Sequence, residues 1–246
     1  MPTSPGSFCW IELNTPDQNA AKAFYGGLFG WTSSDVPTCP GEFYTMFRLD
    51  GKDVGAAERQ RPVTHWSLYV AVDSADESAK LAEEAGGKVL AGPLDAGEAG
   101  RMAVIQDPTG AVICVWQAKN NAGFDVTGVH GAFCWADLNT PDATTAMAFY
   151  SKLFGWTTDS SKDGSGYLHL KNGESYIGGV PPGCPGHPNW TIYIQTDDCV
   201  ASADKAKELG ATLYMAPMKM EGVGTMAVVA DPQGAVFSLF QLENHL

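Results

Sequence analysis

Basic residues are scarce in this chain. Its 246 residues hold 15 Lys and Arg against 28 Asp and Glu, a formal net charge of −13. A nucleic-acid binder presents a basic face, and an anionic membrane surface recruits basic clusters; neither partner is expected here. Also lacking is any apolar run near the roughly 20 residues that cross a bilayer. The opening MPTSPGSFCW has no basic segment and no apolar stretch, so no secretory signal is expected in it. The six cysteines (Cys9, Cys39, Cys114, Cys134, Cys184, Cys199) form no CxxC pair. Cys9, Cys114 and Cys134 fall in strand-like segments, where a small apolar residue is the usual reading. Reduced thiols in a cytoplasmic protein are therefore expected. There is no GxGxxG, no GxxxxGK[ST] and no GxSxG, which removes the common dinucleotide, P-loop and serine-hydrolase readings.

What is present is repetition. FCWIELNTPDQNAAKAFYGGLFGW from Phe8 returns as FCWADLNTPDATTAMAFYSKLFGW from Phe133, with 16 of 24 positions identical. VTHWSLYVAVDSADESAKLAEEAGGKV matches PNWTIYIQTDDCVASADKAKELGATL, and RMAVIQDPTGAVICVWQ matches TMAVVADPQGAVFSLFQ. The chain is thus two copies of one unit. Residues 1–120 and 132–246 are expected to be two domains, with a polar, Gly-containing linker over 121–131. An apolar content of 44% gives each copy a core.

Each copy divides again. Phe8–Leu13 alternates like a strand. A helix follows, with Thr15 and Gln18 at capping-box spacing, Pro16 at the first helical position and Gly30 as its stop. Its apolar face is expected to be Ala20, Ala21, Ala23, Phe24 and Leu28. Asp50-Gly51 and Asn172-Gly173 suit two-residue hairpin turns. The order then recurs: a strand at Trp66–Val72, a helix at about Ser74–Ala85 ending at Gly86, and strands near Met102–Gln106 and Ala111–Gln117. The expected fold class is α+β, four β-α-β-β-β modules making two curved, concave mixed sheets with helices on the outer face.

Alternation sorts the first strand. Cys9, Ile11 and Leu13 suit a helix-facing core, whereas Phe8, Trp10 and Glu12 suit a pocket lining. The second copy repeats the latter set as Phe133, Trp135 and Asp137.

With AFYGGLFGW and AFYSKLFGW near the start of the copies, and DPTGAVICVW and DPQGAVFSLF closing them, the sequence resembles the glyoxalase / bleomycin-resistance / extradiol-dioxygenase superfamily, or vicinal oxygen chelate fold. The resemblance covers nearly the whole chain and specifies fold rather than activity. It implies a divalent metal held by four strand positions. Those positions fall here on Phe8 and Phe133, near Gly55 and Gly179, on Trp66 and Trp190, and on Cys114 and Ser238. Only Cys114 among them could bind a soft ion. A one-residue shift would bring His65 to the third position, although such a shift turns a side chain to the other face, and the second copy has Asn189 there. The resemblance also implies that small relatives pair as homodimers, so the fused chain is expected to be a monomer shaped as a pseudo-dimer, able to dimerise further.

The leading expectation is a metal-independent binding protein without a cofactor, holding a small apolar or aromatic molecule. Its lining set is Phe8, Trp10, Glu12, Trp66, Arg101, Cys114, Phe133, Trp135, Asp137, Trp190 and Ser238. The tryptophans either stack on a flat ligand or plug the concavity. Glu12 and Asp137 are polar anchors or general bases, or carboxylates tied to a neighbouring backbone or tyrosine. Arg101 could clamp an anionic group, and its counterpart is Thr225. The loops DAGEAG (95–100) and MEGVG (220–224) fit flaps or plain hairpin connections. His130, His169, His187 and His245 read as solvated or capped. Alternatives are a metal-dependent lyase or dioxygenase, a metal-free isomerase or hydrolase using Glu12 or Asp137 as base, and a protein with filled cavities that serves structure or partner binding.

Overall fold

The computed structural model describes residues 3–39, 41–59, 63–183 and 186–243. Cys184 and His245 lie outside them. The first copy runs β1 (Phe8–Thr15), α1 (Gln18–Phe29), β2 (Thr32–Pro37), β3 (Phe43–Leu49), β4 (Lys52–Arg59), β5 (His65–Ala71), α2 (Ala75–Glu84), β6 (Lys88–Ala96), β7 (Gly100–Gln106) and β8 (Val112–Ala118). The second runs β9 (Phe133–Asn139), α3 (Ala143–Phe154), β10 (Thr157–Ser160), β11 (Leu168–Asn172), β12 (Ser175–Val180), β13 (Asn189–Gln195), α4 (Cys199–Glu208), β14 (Thr212–Met220), β15 (Gly224–Ala230) and β16 (Val236–Leu242). Two eight-stranded mixed sheets result, ordered β2-β3-β4-β1-β5-β8-β7-β6 and β10-β11-β12-β9-β13-β16-β15-β14. The α+β class and the fourfold module are as the sequence indicated. None of the described helices is long and apolar enough to cross a membrane.

Local chemistry places the ends of α1, with two departures from expectation. The N-cap is Asp17, whose carboxylate accepts from the backbone N–H groups of Asn19 and Ala20, so the helix starts later than a Thr15 cap would start it. The buried face is accordingly Gln18, Ala21, Phe24, Tyr25 and Phe29, while Ala20 and Ala23 are exposed. Gly30 ends the helix in the left-handed conformation, φ 72°. The first hairpin turn is Asp50-Gly51, both at positive φ. In the second copy the turn moves on by one residue: Asn172 pairs with Ser175 across Gly173-Glu174. The Asn172 amide instead donates to Pro5 O and Ser7 Oγ, at 3.0 and 3.2 Å.

The chain packs as two compact units, each drawn from both copies. One holds the residues up to Trp10 with Ser67–Gly123 and Ala136–Thr191; the other holds Ile11–Trp66, Phe124–Trp135 and the residues from Ile192. In the first unit, the second module of copy one meets the first module of copy two. Gly87 lets this happen, since a Cβ there would sit 2.6 Å from the Phe149 ring of α3. Trp156 donates its ring N–H to Gly6 O at 2.7 Å. The second unit repeats the design, with Trp31 donating to Gly131 O at 2.7 Å and Tyr25, Phe29, Trp31 and Phe47 packed ring on ring. The stretch between the copies is pinned by reciprocal bonds, Asp125 N to Asp53 O and Asp53 N to Asp125 Oδ2, each 2.9 Å.

Candidate functional site

Strand alternation, checked against the helices, identifies the face that is left open to chemistry. In the second unit Gln18 of α1 donates to Thr45 Oγ1, so Thr45 faces the helix. Tyr44 and Met46, on either side of it, face away. The Tyr44 hydroxyl donates to Glu12 Oε2 at 2.7 Å, which places Glu12 on that same face, only 7% exposed. The first unit holds the counterpart. Tyr167 donates to Asp137 Oδ1 at 2.6 Å, with Asp137 5% exposed. Two residues along β9, the Asn139 amide donates to Asn189 Oδ1 and Thr191 Oγ1 at 3.0 and 2.8 Å. Charge-assisted O–H···O⁻ bonds of this length are about twice as strong as neutral ones.

The register explains why one copy uses Glu and the other Asp. Glu12 lies opposite Ala56, and Ala56 opposite Met46. Asp137 lies opposite Gly179, and Gly179 opposite His169. A Cβ on Gly179 would fall on the Tyr167 hydroxyl. The missing methyl lets the tyrosine lean across β12 and reach the shorter acid; in the first copy the longer acid reaches past Ala56 to its tyrosine. The pair survives in both copies by compensating changes.

Further along the sheets lies a more apolar stretch. In the first unit Tyr69, Cys114 and Val104 are neighbours in register, and the Trp116 ring stands edge-on to Tyr69 at 6.4 Å. In the second unit the same places are held by Tyr193, Ser238 and Val228, with Phe240 edge-on to Tyr193 at 6.1 Å. The Ser238 hydroxyl is fully buried and has no hydrogen-bond partner among the described residues. An unpaired buried hydroxyl costs about 1–3 kcal/mol, a deficit that a water or a ligand atom would relieve.

Several expected lining residues sit elsewhere. Trp66 donates its ring N–H to the Tyr25 hydroxyl of α1 at 3.2 Å, and Trp190 to the Tyr150 hydroxyl of α3 at 3.0 Å. Both tryptophans are therefore helix-side core, neither lining nor plugging the concave face. Their strand neighbours His65 and Asn189 take the acid face. Phe8 packs edge-on against Trp156 and Trp190, at 5.4 and 5.6 Å, and Phe133 is stacked on Phe124 at 5.2 Å. Trp10 is buried and Trp135 half-buried. Arg101 is engaged within the chain: its guanidinium grips Asp76 at 2.7 and 2.9 Å and reaches Asp95 at 3.5 Å. The two supposed flaps are hairpin connections, with Ala96 paired to Gly100 and Met220 to Gly224. His130 lies 3.7 Å from Asp197, and His187 is exposed. Tyr44, Tyr167 and Asn139 were missed. The signal for the tyrosines was their matched place at the start of the third strand in each copy.

The resemblance implies a metal, and the donor set can be judged. At the four carried-over places stand Phe8, Gly55, Trp66 and Cys114 in one copy, and Phe133, Gly179, Trp190 and Ser238 in the other. Of these, Trp66 and Trp190 face the helices, and the acid face presents Glu12 and His65 in one copy and Asp137 and Asn189 in the other. Among the described residues no three His, Cys, Asp or Glu side chains gather as a metal group. The residues present do not fit the family's ion.

The glyoxalase-like domain family matches the chain over residues 10–116 and again over 135–240. CFP32 of Mycobacterium tuberculosis (strain CDC 1551 / Oshkosh), which carries a provisional glyoxylase name, is 39% identical over 245 residues, covering 94% of this chain and 93% of that protein. The anthracycline biosynthesis protein DnrV of Streptomyces peucetius is 34% identical over 260 residues, covering 97% of this chain and 94% of that protein. The crystal structure of the Mn(II)-bound glyoxalase from Novosphingobium aromaticivorans superposes with a TM-score of 0.70 at 20% identity, over 97% of this chain and 83% of that one, a likeness of fold.

Proposed function

The chain belongs to the glyoxalase-like domain family, carrying that domain twice, and from that premise we propose that it is a metal-independent binder of a planar or apolar small molecule. The observation that carries this reading is the acid–tyrosine pair kept in each copy by offsetting changes, Glu12 with Ala56 in one and Asp137 with Gly179 in the other. A binding site needs apolar walls and a few fixed polar groups. Glu12–Tyr44 and Asp137–Tyr167 supply the polar groups; Tyr69, Trp116, Tyr193 and Phe240 supply aromatic surface. The unpaired Ser238 hydroxyl adds a place for one polar atom of a ligand. A relative named for anthracycline biosynthesis supports an aromatic small molecule as the kind of ligand.

The test is tryptophan-fluorescence quenching by neutral aromatic compounds, with and without chelator, alongside elemental analysis of protein purified without a metal-affinity tag. Saturable quenching that ignores the chelator, with metal well below one equivalent, supports the reading. A stoichiometric transition metal, or binding that the chelator abolishes, overturns it and favours a lyase or dioxygenase. A second reading, a metal-free isomerase with Glu12 or Asp137 as base, is favoured by the burial of both carboxylates. It requires turnover that Glu12→Gln or Asp137→Asn removes.

A further inference from the structure

The first unit holds a cavity of about 450 Å³ that none of the acid–tyrosine residues lines. It lies where β5 and β8 run out, with Pro5, Ala71, Val72, Asp73, Trp116 and Ala118 in its walls. That volume falls within the roughly 300–1,000 Å³ of ordinary small-molecule sites. Backbone bonds fix the walls. Gly6 N donates to Ala71 O at 2.8 Å and Ala71 N to Ser7 O at 2.9 Å, lacing the segment before β1 to β5. Thr3 Oγ1 donates to Ala122 O at 3.1 Å, tying the same segment to the stretch after β8.

The duplication shows what hollowed this place. Ala71 is the register partner of Trp116 as Gln195 is of Phe240, and Gly131 N donates to Gln195 O as Gly6 N does to Ala71 O. Copy one therefore has alanine at 71 and 118 where copy two has Gln195 and Leu242. Two small side chains open the space, and Trp116 gives it a larger aromatic wall than Phe240 would. The setting of the aspartate has changed too. In the second unit Asp197 N donates to His130 Nδ1 at 3.1 Å, and the Asp197 carboxylate lies 3.7 Å from that ring. Pro5 stands in the place of His130. Asp73 is exposed, with no ion pair or side-chain hydrogen bond among the described residues.

The wall chemistry selects a cation. Asp73 is the one ionisable group among the described residues that line the cavity. The Trp116 ring N–H is spent on Asn121 O at 2.9 Å, so the indole offers a ligand only its carbon surface. Gln117 Oε1 is spent on Ala75 N at 3.1 Å. Arg101, opposite Gln117 in register, and Lys119 are held by Asp76 and Asp95, which leaves an anion little to pair with. An indole beside a carboxylate attracts an organic cation, and a net charge of −13 concentrates cations at the surface. We propose that this cavity binds a small organic amine in its ammonium form, its apolar body against Trp116 and its charge toward Asp73. The site shares Trp116 with the small-molecule reading above but uses neither acid–tyrosine pair, so the two stand or fall separately.

The probe is phenethylammonium, with 2-phenylethanol as its neutral and phenylacetate as its anionic counterpart, titrated by calorimetry at low ionic strength. The amine should bind saturably, about fivefold tighter than the alcohol, the size of one exposed charge contact, and phenylacetate should not bind. Asp73→Asn should remove that preference, and added salt should shrink it in wild type. Ala118→Leu, at an exposed position, and Ala71→Gln with Ala118→Leu install side chains that the same framework carries at Gln195 and Leu242; both should lose the amine and keep the fold. Glu12→Gln with Asp137→Asn should bind it as wild type does. No saturable binding of the amine to wild type, or equal affinity for amine and alcohol, overturns the proposal. So does amine binding that Ala118→Leu leaves unchanged, or that Glu12→Gln with Asp137→Asn removes. Any of these results, with saturable quenching by neutral aromatic compounds intact, overturns this inference alone and leaves the small-molecule reading in place.

Discussion

The Tyr25 hydroxyl donates to Asp231 Oδ2 at 2.9 Å, joining residues 206 positions apart. Tyr25 belongs to the FY of the opening motif of copy one, and Asp231 to the DPxG of copy two. Trp66 donates to the same hydroxyl, while Asp231 Oδ1 also accepts from the backbone N–H groups of Gln233 and Ala235. Asp107 of copy one lies beside Tyr150 of copy two, and its charge acts on that phenol. The two signature motifs are thus each other's partners across the duplication. Removing the Tyr25 hydroxyl in Tyr25→Phe leaves Asp231 Oδ2 and the Trp66 N–H short of a partner, and should cost about 1–3 kcal/mol in urea unfolding. Asp231→Ala should cost more, because it also uncaps the turn.

Burial first, and then the charge of the facing aspartate, hold the Tyr25 and Tyr150 phenols well above the usual tyrosine range. A folded-state value above the unfolded one gives stability that is complete below the unfolded tyrosine's titration, near pH 10, and is lost as pH rises beyond it. Stability should therefore be insensitive to these two groups up to about pH 10 and fall above it. Spectrophotometric titration should show two of the eight tyrosines ionising only as the protein unfolds. Smooth ionisation of all eight in folded protein would contradict the burial.

Desolvation also governs the thiols. Cys134 is pushed up to about 12, and Cys9 is raised further still, both by burial. Cys39 is exposed. The thiolate is the reacting species, so iodoacetamide at neutral pH should label Cys39 in native protein and leave Cys9 and Cys134 untouched until denaturant is added. Peptide mapping by mass spectrometry reads the result.

Much of this architecture was legible because duplication wrote each signal twice. The modules and the left-handed stop at Gly30 follow from local chemistry, which a sequence carries. The start of α1 was misplaced because Thr15 and Asp17 are both competent caps, and only the fit of Gln18 against β3 and β4, where it donates to Phe43 O, Thr45 Oγ1 and Ala57 O, chooses between them. The tryptophans were read onto the wrong face for a similar reason. Trp66 and Trp190 alternate correctly with their neighbours, but which face meets a helix depends on Tyr25 and Tyr150, far away in sequence. The acid–tyrosine pairs needed register across three strands, and no single stretch holds that information.

Arg101 offers a check on the corrected lining. Its guanidinium is taken by Asp76 at the start of α2 and by Asp95, both well exposed. Surface ion pairs contribute little and are screened by salt. Arg101→Ala should lower the Tm slightly at low ionic strength and not measurably at high salt. Affinity for an aromatic ligand should stay at the wild-type value; a tenfold loss, or about 1.4 kcal/mol, would return Arg101 to the site.

The offsetting pairs make the sharpest test of the site itself. Gly179→Ala would set a methyl where the Tyr167 hydroxyl now lies. The obstructed atom is the tip of a half-buried side chain that can swing away, so the fold should survive with a modest loss of stability. The hydrogen bond to Asp137 should not survive, since Asp137 is too short to follow the ring. Ligand affinity at the second copy is therefore expected to fall more than global stability does. Adding Asp137→Glu to Gly179→Ala recreates the Glu–Ala combination of Glu12 and Ala56, which reaches its tyrosine at 2.7 Å. The double variant should recover affinity that Asp137→Glu alone, with glycine still in place, does not improve. Such non-additivity is the mark of two positions acting through one shared partner. Additive losses would mean that the two copies differ at these places without compensation, and that the acid–tyrosine pair is not what holds the ligand.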